Sequence, residues 1–240
     1  AGTPAQRMWV TEGAADLDYN SGRAASALKL YRQVVAIAER ELKADPGNGE
    51  FRRGLIIGTL NLGHLDMDAG RPKKALNYFQ SALKLATAYA AEEPWNPRWQ
   101  FEIGRSQERI GRIRQAQGRN DLALEAYRRK HAIMTDLLRQ NPNDPVWIRD
   151  LSLADEFIGD MALAAGDRRA ALASYEASLS RMVPLSERDP GNTSHLRFIS
   201  VTYLKAGDVH ESLGELDRAR DHFRAGMQVS EALVALDPTN

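Results

Sequence analysis

Five stretches of this 240-residue chain share one spacing. "SGRAASALKLY" carries Gly22, Ala27 and Tyr31, and "AGRPKKALNYF" carries Gly70, Ala75 and Phe79. "QGRNDLALEAY" carries Gly118, Ala123 and Tyr127, "GDRRAALASY" carries Gly166, Ala171 and Tyr175, and "LGELDRARDHF" carries Gly214, Ala219 and Phe223. Each set lies 48 residues after the one before. Pro46, Pro94, Pro142, Pro190 and Pro238 keep the same step, and Asn or Asp follows each of them two residues later. A period of this length points to a stacked repeat architecture. The units are 1–48, 49–96, 97–144, 145–192 and 193–240, read as a single repeat array over 1–240.

Each unit holds two helical stripes. Trp147, Leu151, Ala154, Ile158, Met161 and Ala165 recur at intervals of three and four, as do Phe51, Leu55, Leu62, Leu65 and Ala69. Nothing alternates with period two, so an all-α chain of ten helices is expected. In the second half of unit four, Asp167 stands where a helix N-cap belongs, and "DPGN" closes the run. Each helix is about 20 residues, or about 30 Å. A hairpin of two such helices cannot bury its apolar face alone and must stack on its neighbours.

Composition narrows the function classes. There is no cysteine, which excludes disulfides and thiolate metal sites. Lys plus Arg equals Asp plus Glu at 32 each, so overall charge gives no reason to expect nucleic acid or an anionic membrane. No apolar run approaches the ~20 residues of a bilayer-spanning helix, and "AGTPAQRMWV" has no leader pattern; a cytoplasmic setting is the default expectation. The chain starts without Met and reads as a segment or a processed product.

Leu62-Gly63, Ile110-Gly111 and Ile158-Gly159 precede Ala75, Ala123 and Ala171 by twelve residues counted from the Gly, and an aromatic follows four later. This pattern, with its closing Pro, resembles the tetratricopeptide repeat, whose unit has about 34 residues. About seven extra residues fall at the start of the first helix and about seven at the end of the second, which lengthens both helices away from the turn. The family's Trp position holds Thr11, Thr59, Gln107, Asp155 and Tyr203, and its Tyr position holds Asp18, Asp66, Arg114, Ala162 and His210; Trp99 and Trp147 supply bulk in the added turns. The chain is also similar to the long-unit arrays of bacterial multidomain proteins. The resemblance implies a right-handed α-solenoid of five helix-turn-helix repeats that serves as a scaffold for protein or peptide partners.

No chemistry competes with that reading. No two of His64, His131, His195, His210 and His222 have the His-x-x-x-His spacing, and His64 with Asp68 reads as an exposed helical pair. No strand leads into a Gly-rich phosphate loop. Neither an enzyme, a cofactor nor a metal is expected.

In the family the first helices line a concave groove. The resemblance places there Arg105 and Arg112, Glu156 and Asp160, Asp208 and Glu211, with the apolar Ile57, Leu60, Val201 and Leu204. The Lys and Asn that clamp a chaperone's terminal carboxylate have no counterpart, since those places hold pairs such as Leu60 with His64 and Glu156 with Asp160. Unit three has ten Lys/Arg against six Asp/Glu, net +4, whereas 145–240 has ten against fifteen, net −5. The acidic half suits a Lys/Arg-rich segment; the alternative is that Arg105 and Arg112 pair with Glu156 and Asp160. The last helix ends with Met227, Leu233 and Leu236, the residue kinds that earlier units bury. That end implies further repeats or a second copy, so the alternative function is self-association through the solenoid ends.

Overall fold

The computed structural model describes residues 2–236, and Pro238 lies outside them. Among the described residues there are ten α-helices and no strand: α1 (Pro4–Asn20), α2 (Ala24–Ala44), α3 (Gly49–Asp68), α4 (Pro72–Glu92), α5 (Pro97–Ala116), α6 (Asn120–Gln140), α7 (Pro145–Ala164), α8 (Arg168–Arg188), α9 (Thr193–Ser212) and α10 (Leu216–Leu236). They follow one another as five helix-turn-helix pairs. By contacts the chain forms two compact units that divide between Gln117 and Gly118. No helix of the described residues is long and apolar enough to cross a membrane.

Local chemistry fixes the helix ends. The Asn or Asp that trails Pro46, Pro94, Pro142 and Pro190 caps the next helix: Asn48 accepts from the amides of Glu50 and Phe51, Asn96 from Arg98, Asp144 from Val146 and Trp147, and Asn192 from His195. These caps satisfy amides that have no partner inside the helix. Thr3 and Gln6 form a reciprocal capping box on α1, and Asp167 caps α8 through the Ala170 amide. At the tight turns, Gly22, Gly70, Gly118, Gly166 and Gly214 all take φ between 69° and 83°. A Cβ at any of the five would meet open space, so glycine is required there by the left-handed backbone and by nothing else.

The Ala and aromatic of each repeat set the approach of helix on helix. Ala27, Ala75, Ala123, Ala171 and Ala219 are all buried, as are Tyr31, Phe79, Tyr127 and Tyr175. The rings of Phe79, Tyr175 and Phe223 fill the space that a Cβ would need at Gly63, Gly159 and Gly207.

In the first unit, α1–α5, the added turns carry their own core. Arg52 is buried, donates to the Pro46 carbonyl at 2.7 Å and to Glu93 at 2.9 Å, pairs with Glu92, and lies over the Tyr89 ring at 4.5 Å. Fully buried Trp99 gives its indole N–H to Glu93 at 2.9 Å. The lengthened ends of α3, α4 and α5 thus pack through residues that a shorter repeat lacks.

In the second unit, α6–α10, Tyr127 stacks on Phe157 with ring centroids 4.6 Å apart, and Leu179, Met182, Leu185 and Ile199 form a core between α8 and α9. Lys130 is wholly buried and its ammonium reaches Asp150 at 2.7 Å. Taking both charges out of water makes this pair costly to break from one side.

Candidate functional site

The first helices of the second unit present a mixed face. Val201, Leu204, Asp208 and Glu211 follow one another on α9 at spacings of three and four, which places them on one side of the helix. Val201 and Leu204 are 42% and 45% exposed, and Asp208 and Glu211 are exposed as well. On α7, Glu156 and Asp160 occupy the corresponding side.

Those two α7 carboxylates are already engaged from within the unit. Lys205 donates to Glu156 at 2.5 Å and to both Asp160 oxygens at 2.9 Å, and Tyr175 donates its hydroxyl to Asp160 at 2.7 Å. Burial raises the Glu156 carboxyl above its ordinary range, and Lys205 offsets part of that. Burial opposes the Lys205 charge, yet Glu156 and Asp160 lift its pKa above the usual lysine value. The ammonium is therefore held charged between them. Arg105, expected as a partner for Glu156, instead donates to Glu102 one turn back on α5, at 3.3 Å. Arg112 is exposed. Lys205 won the acidic pair because it lies one repeat further along, on the helix stacked beside α7.

In the first unit a pocket of about 170 Å³ opens among α1, α3 and α5. Tyr19, His64, Met67, Arg109 and Arg112 line it. The expected exposed pair of His64 with Asp68 is not formed. His64 turns inward to meet Phe79 edge to face, centroids 5.5 Å apart, and Asp68 accepts the Tyr19 hydroxyl at 2.5 Å. Burial, reinforced by Arg109, Arg105 and Arg112, pushes the His64 pKa down to about 3, so the ring is neutral at ordinary pH. Ile57 and Leu60, expected on the groove, are buried; Leu60 belongs to the core that also holds Phe79, Trp99 and Ile113. Packing of α3 between its neighbours closes over these residues.

At the other candidate surface, Met227 on α10 is 57% exposed, whereas Leu179, one repeat earlier, is 6% exposed under α9. Val234 and Leu236 are also exposed, and Leu233 is half-buried. Leu216, which the sequence reading passed over, extends the same apolar patch. Sequence reading also missed Glu176, His210 and His222, which three different helices bring together.

Residues 55–129 match a tetratricopeptide-repeat family model, and residues 14–46 match a second model of the same description. No curated protein matches the chain. Among solved structures it is similar to BtubC (BKLC) from P. vanneervenii, with 19% identity over 94% of this chain and 80% of that one, TM-score 0.69. It is similar over the full length of both chains to the kinesin light chain TPR-like repeats of Podosopora anserina, at 16% identity and TM-score 0.63. Aspartyl phosphate phosphatase F from Bacillus subtilis matches over 96% of this chain and 61% of its own, at 12% identity and TM-score 0.62. At these identities the likeness is one of fold.

Proposed function

We infer, from a chain built of five tetratricopeptide repeats, that it works by holding a partner protein, and that the partner segment lies along the α9 face. Repeats of this kind typically serve protein–protein interaction. The supporting observation is the α9 stripe, with apolar Val201 and Leu204 leading into Asp208 and Glu211, whose carboxylates form no ion pair among the described residues. Such a face suits an amphipathic segment whose apolar residues are followed by Lys or Arg. Because Lys205 occupies both Glu156 and Asp160 and offsets one of their charges, the attraction for a basic segment comes mainly from Asp208 and Glu211.

The test is fluorescence anisotropy with labelled peptides that carry apolar residues next to either Lys/Arg or Asp/Glu. The basic series should bind, should weaken as salt rises through the range where the Debye length falls below about 10 Å, and should lose its advantage in Asp208→Lys with Glu211→Lys. Equal binding of both series, untouched by the double substitution, removes the proposal.

A second reading is self-association through α10, supported by the exposure of Met227, Val234 and Leu236 at positions whose earlier counterparts include buried Leu179. Large exposed apolar patches mark interaction surfaces.

A further inference from the structure

We propose that Glu176, His210 and His222 form a binding site for a divalent transition-metal ion, Zn²⁺ in the first instance. Glu176 comes from α8, His210 from α9 and His222 from α10, and one ligand atom from each lies within 4.8 Å of the others. The cluster is confined to the last two hairpins.

The observation that carries the site is His210. Its side chain is wholly buried, and its Nε2 has no hydrogen-bond partner. A buried polar atom left in this state is destabilising unless something binds it. The ring is held in one orientation from the other side: Nδ1 lies 2.7 Å from a Glu215 carboxylate oxygen, which can only accept, so Nδ1 carries the proton and Nε2 presents its lone pair. Glu215 is itself anchored by Arg169 at 2.6 Å. A carboxylate that orients an imidazole so that the far nitrogen is free is the arrangement that supports metal-bound histidine.

His222 is set in the same way. Its Nδ1 lies 3.0 Å from the Arg218 carbonyl, again an acceptor, so Nε2 is its free nitrogen. Its ring stands 4.8 Å from that of His210, centroid to centroid. Glu176 approaches His210 Nε2 to 3.7 Å, too far for a hydrogen bond, and its side chain is half exposed. Zn²⁺ binds imidazole nitrogen and carboxylate oxygen at about 2.0–2.2 Å, which sets tetrahedral ligand atoms ~3.3–3.5 Å apart. Small side-chain adjustments would bring the three ligand atoms to that spacing and leave a fourth coordination position for water. Two imidazoles and one carboxylate favour Zn²⁺, Cu²⁺ or Ni²⁺ over Mg²⁺ and Ca²⁺, which take oxygen ligands.

Comparison with the other repeats separates this site from a routine helix-end contact. Asp18 pairs with Arg23 and Asp66 with Arg71, each five residues on, which ties the end of a first helix to its turn. His210 with Glu215 occupies the same place in the last hairpin. The Asp–Arg pairs are complete as they stand, whereas the imidazole adds a second nitrogen that points at Glu176 and His222. Their equivalents around Asp66 are Arg32 and Tyr78, neither a carboxylate nor an imidazole. A bound ion ties the fifth hairpin to the fourth.

The experiment is equilibrium dialysis and calorimetric titration of the full chain, free of any polyhistidine tag, with Zn²⁺, Co²⁺, Mg²⁺ and Ca²⁺ at neutral pH. One Zn²⁺ per chain is expected, with no stoichiometric Mg²⁺ or Ca²⁺, and Co²⁺ should give the visible absorption of a four-coordinate site. His222→Ala and Glu176→Gln, at half-buried and exposed positions, should each weaken Zn²⁺ binding at least about tenfold, and Glu215→Gln about 10–100-fold through the orientation of His210. Circular dichroism checks that each variant is folded. Absence of stoichiometric Zn²⁺ binding overturns the assignment, and so does binding that His222→Ala leaves unchanged.

Discussion

Gly13 and Gly63 both lie inside helices of the first unit, and replacing each with Ala should move stability in different directions. An Ala gains about 0.8–1.0 kcal/mol over Gly in a helix interior, and that gain is common to both sites. At Gly13 a new Cβ meets nothing within 4 Å. At Gly63 it would fall 2.4 Å from Cε1 of Phe79 and 2.8 Å from Cδ1. Carbon contacts are most favourable at about 3.5–4.0 Å, so the ring has to withdraw by about 1 Å. Phe79 is fully buried and its edge already meets His64, which leaves it little room. Overpacking of this kind costs about 1–3 kcal/mol. The first hairpin seats Ala15 at the equivalent place opposite Tyr31, which shows that the architecture accepts a Cβ there and sets the cost in the lower part of that range. Gly13→Ala should therefore stabilise by about 0.8–1.0 kcal/mol, and Gly63→Ala should lie about 1–2 kcal/mol below it. Urea unfolding followed by far-ultraviolet circular dichroism reads both as shifts in midpoint at unchanged slope. If Gly63→Ala raises the midpoint as far as Gly13→Ala does, the ring does not set the helix spacing and the packing argument is wrong.

The buried His64 predicts a pH dependence. Its folded pKa of about 3 lies below the unfolded value near 6.5, so the unfolded chain takes up a proton first and stability falls as pH drops from about 6.5 toward 3, by up to ~1.4 kcal/mol per unit. His64→Gln should flatten that slope between pH 7 and 5 in the same urea assay, and an unchanged slope assigns the acid sensitivity elsewhere. For α10, Met227→Lys with Leu236→Lys should abolish any concentration-dependent sedimentation of the chain; a chain that already sediments as a monomer at high concentration rejects self-association through this surface.

How much of this was legible beforehand depended on whether a feature is local in sequence. The capping role of Asn48, Asn96, Asp144 and Asn192, the glycine turns and the Ala–aromatic register all follow from residues within a few positions of each other, and the period made them visible together. The site is different, because its partners come from adjacent repeats. Lys205 reaches Glu156 across 49 positions, a pairing set by the rotation of α9 beside α7, and no charge count reveals it. His64 was misread because an i, i+4 pair with Asp68 shares a helix face whether or not a neighbouring helix covers it. The His210–His222 pair was missed because metal spacings were sought within one helix. The turn at Gly214 folds α10 back on α9, and His210, four residues before it, meets His222, eight residues after it, a contact between two helices that a search within one helix does not reach.

The start and stop signals have a consequence for how such a chain changes length. Every Pro-x-Asn/Asp stop-and-cap and every turn glycine recurs at the same step, and Asn48, Asn96, Asp144 and Asn192 each cap the start of a helix through amides two or three residues on. The helices contact mainly their neighbours in sequence. Misaligned recombination between two copies of the coding sequence, slipped by a single repeat, therefore adds or deletes one complete hairpin with its own cap and turn intact. The junctions it creates share the Ala, aromatic and Gly positions of every repeat but lose pairs particular to one place in the array, such as Arg52 with Glu93 and Lys205 with Glu156, so changes of length come in whole hairpins and cost what those pairs contribute.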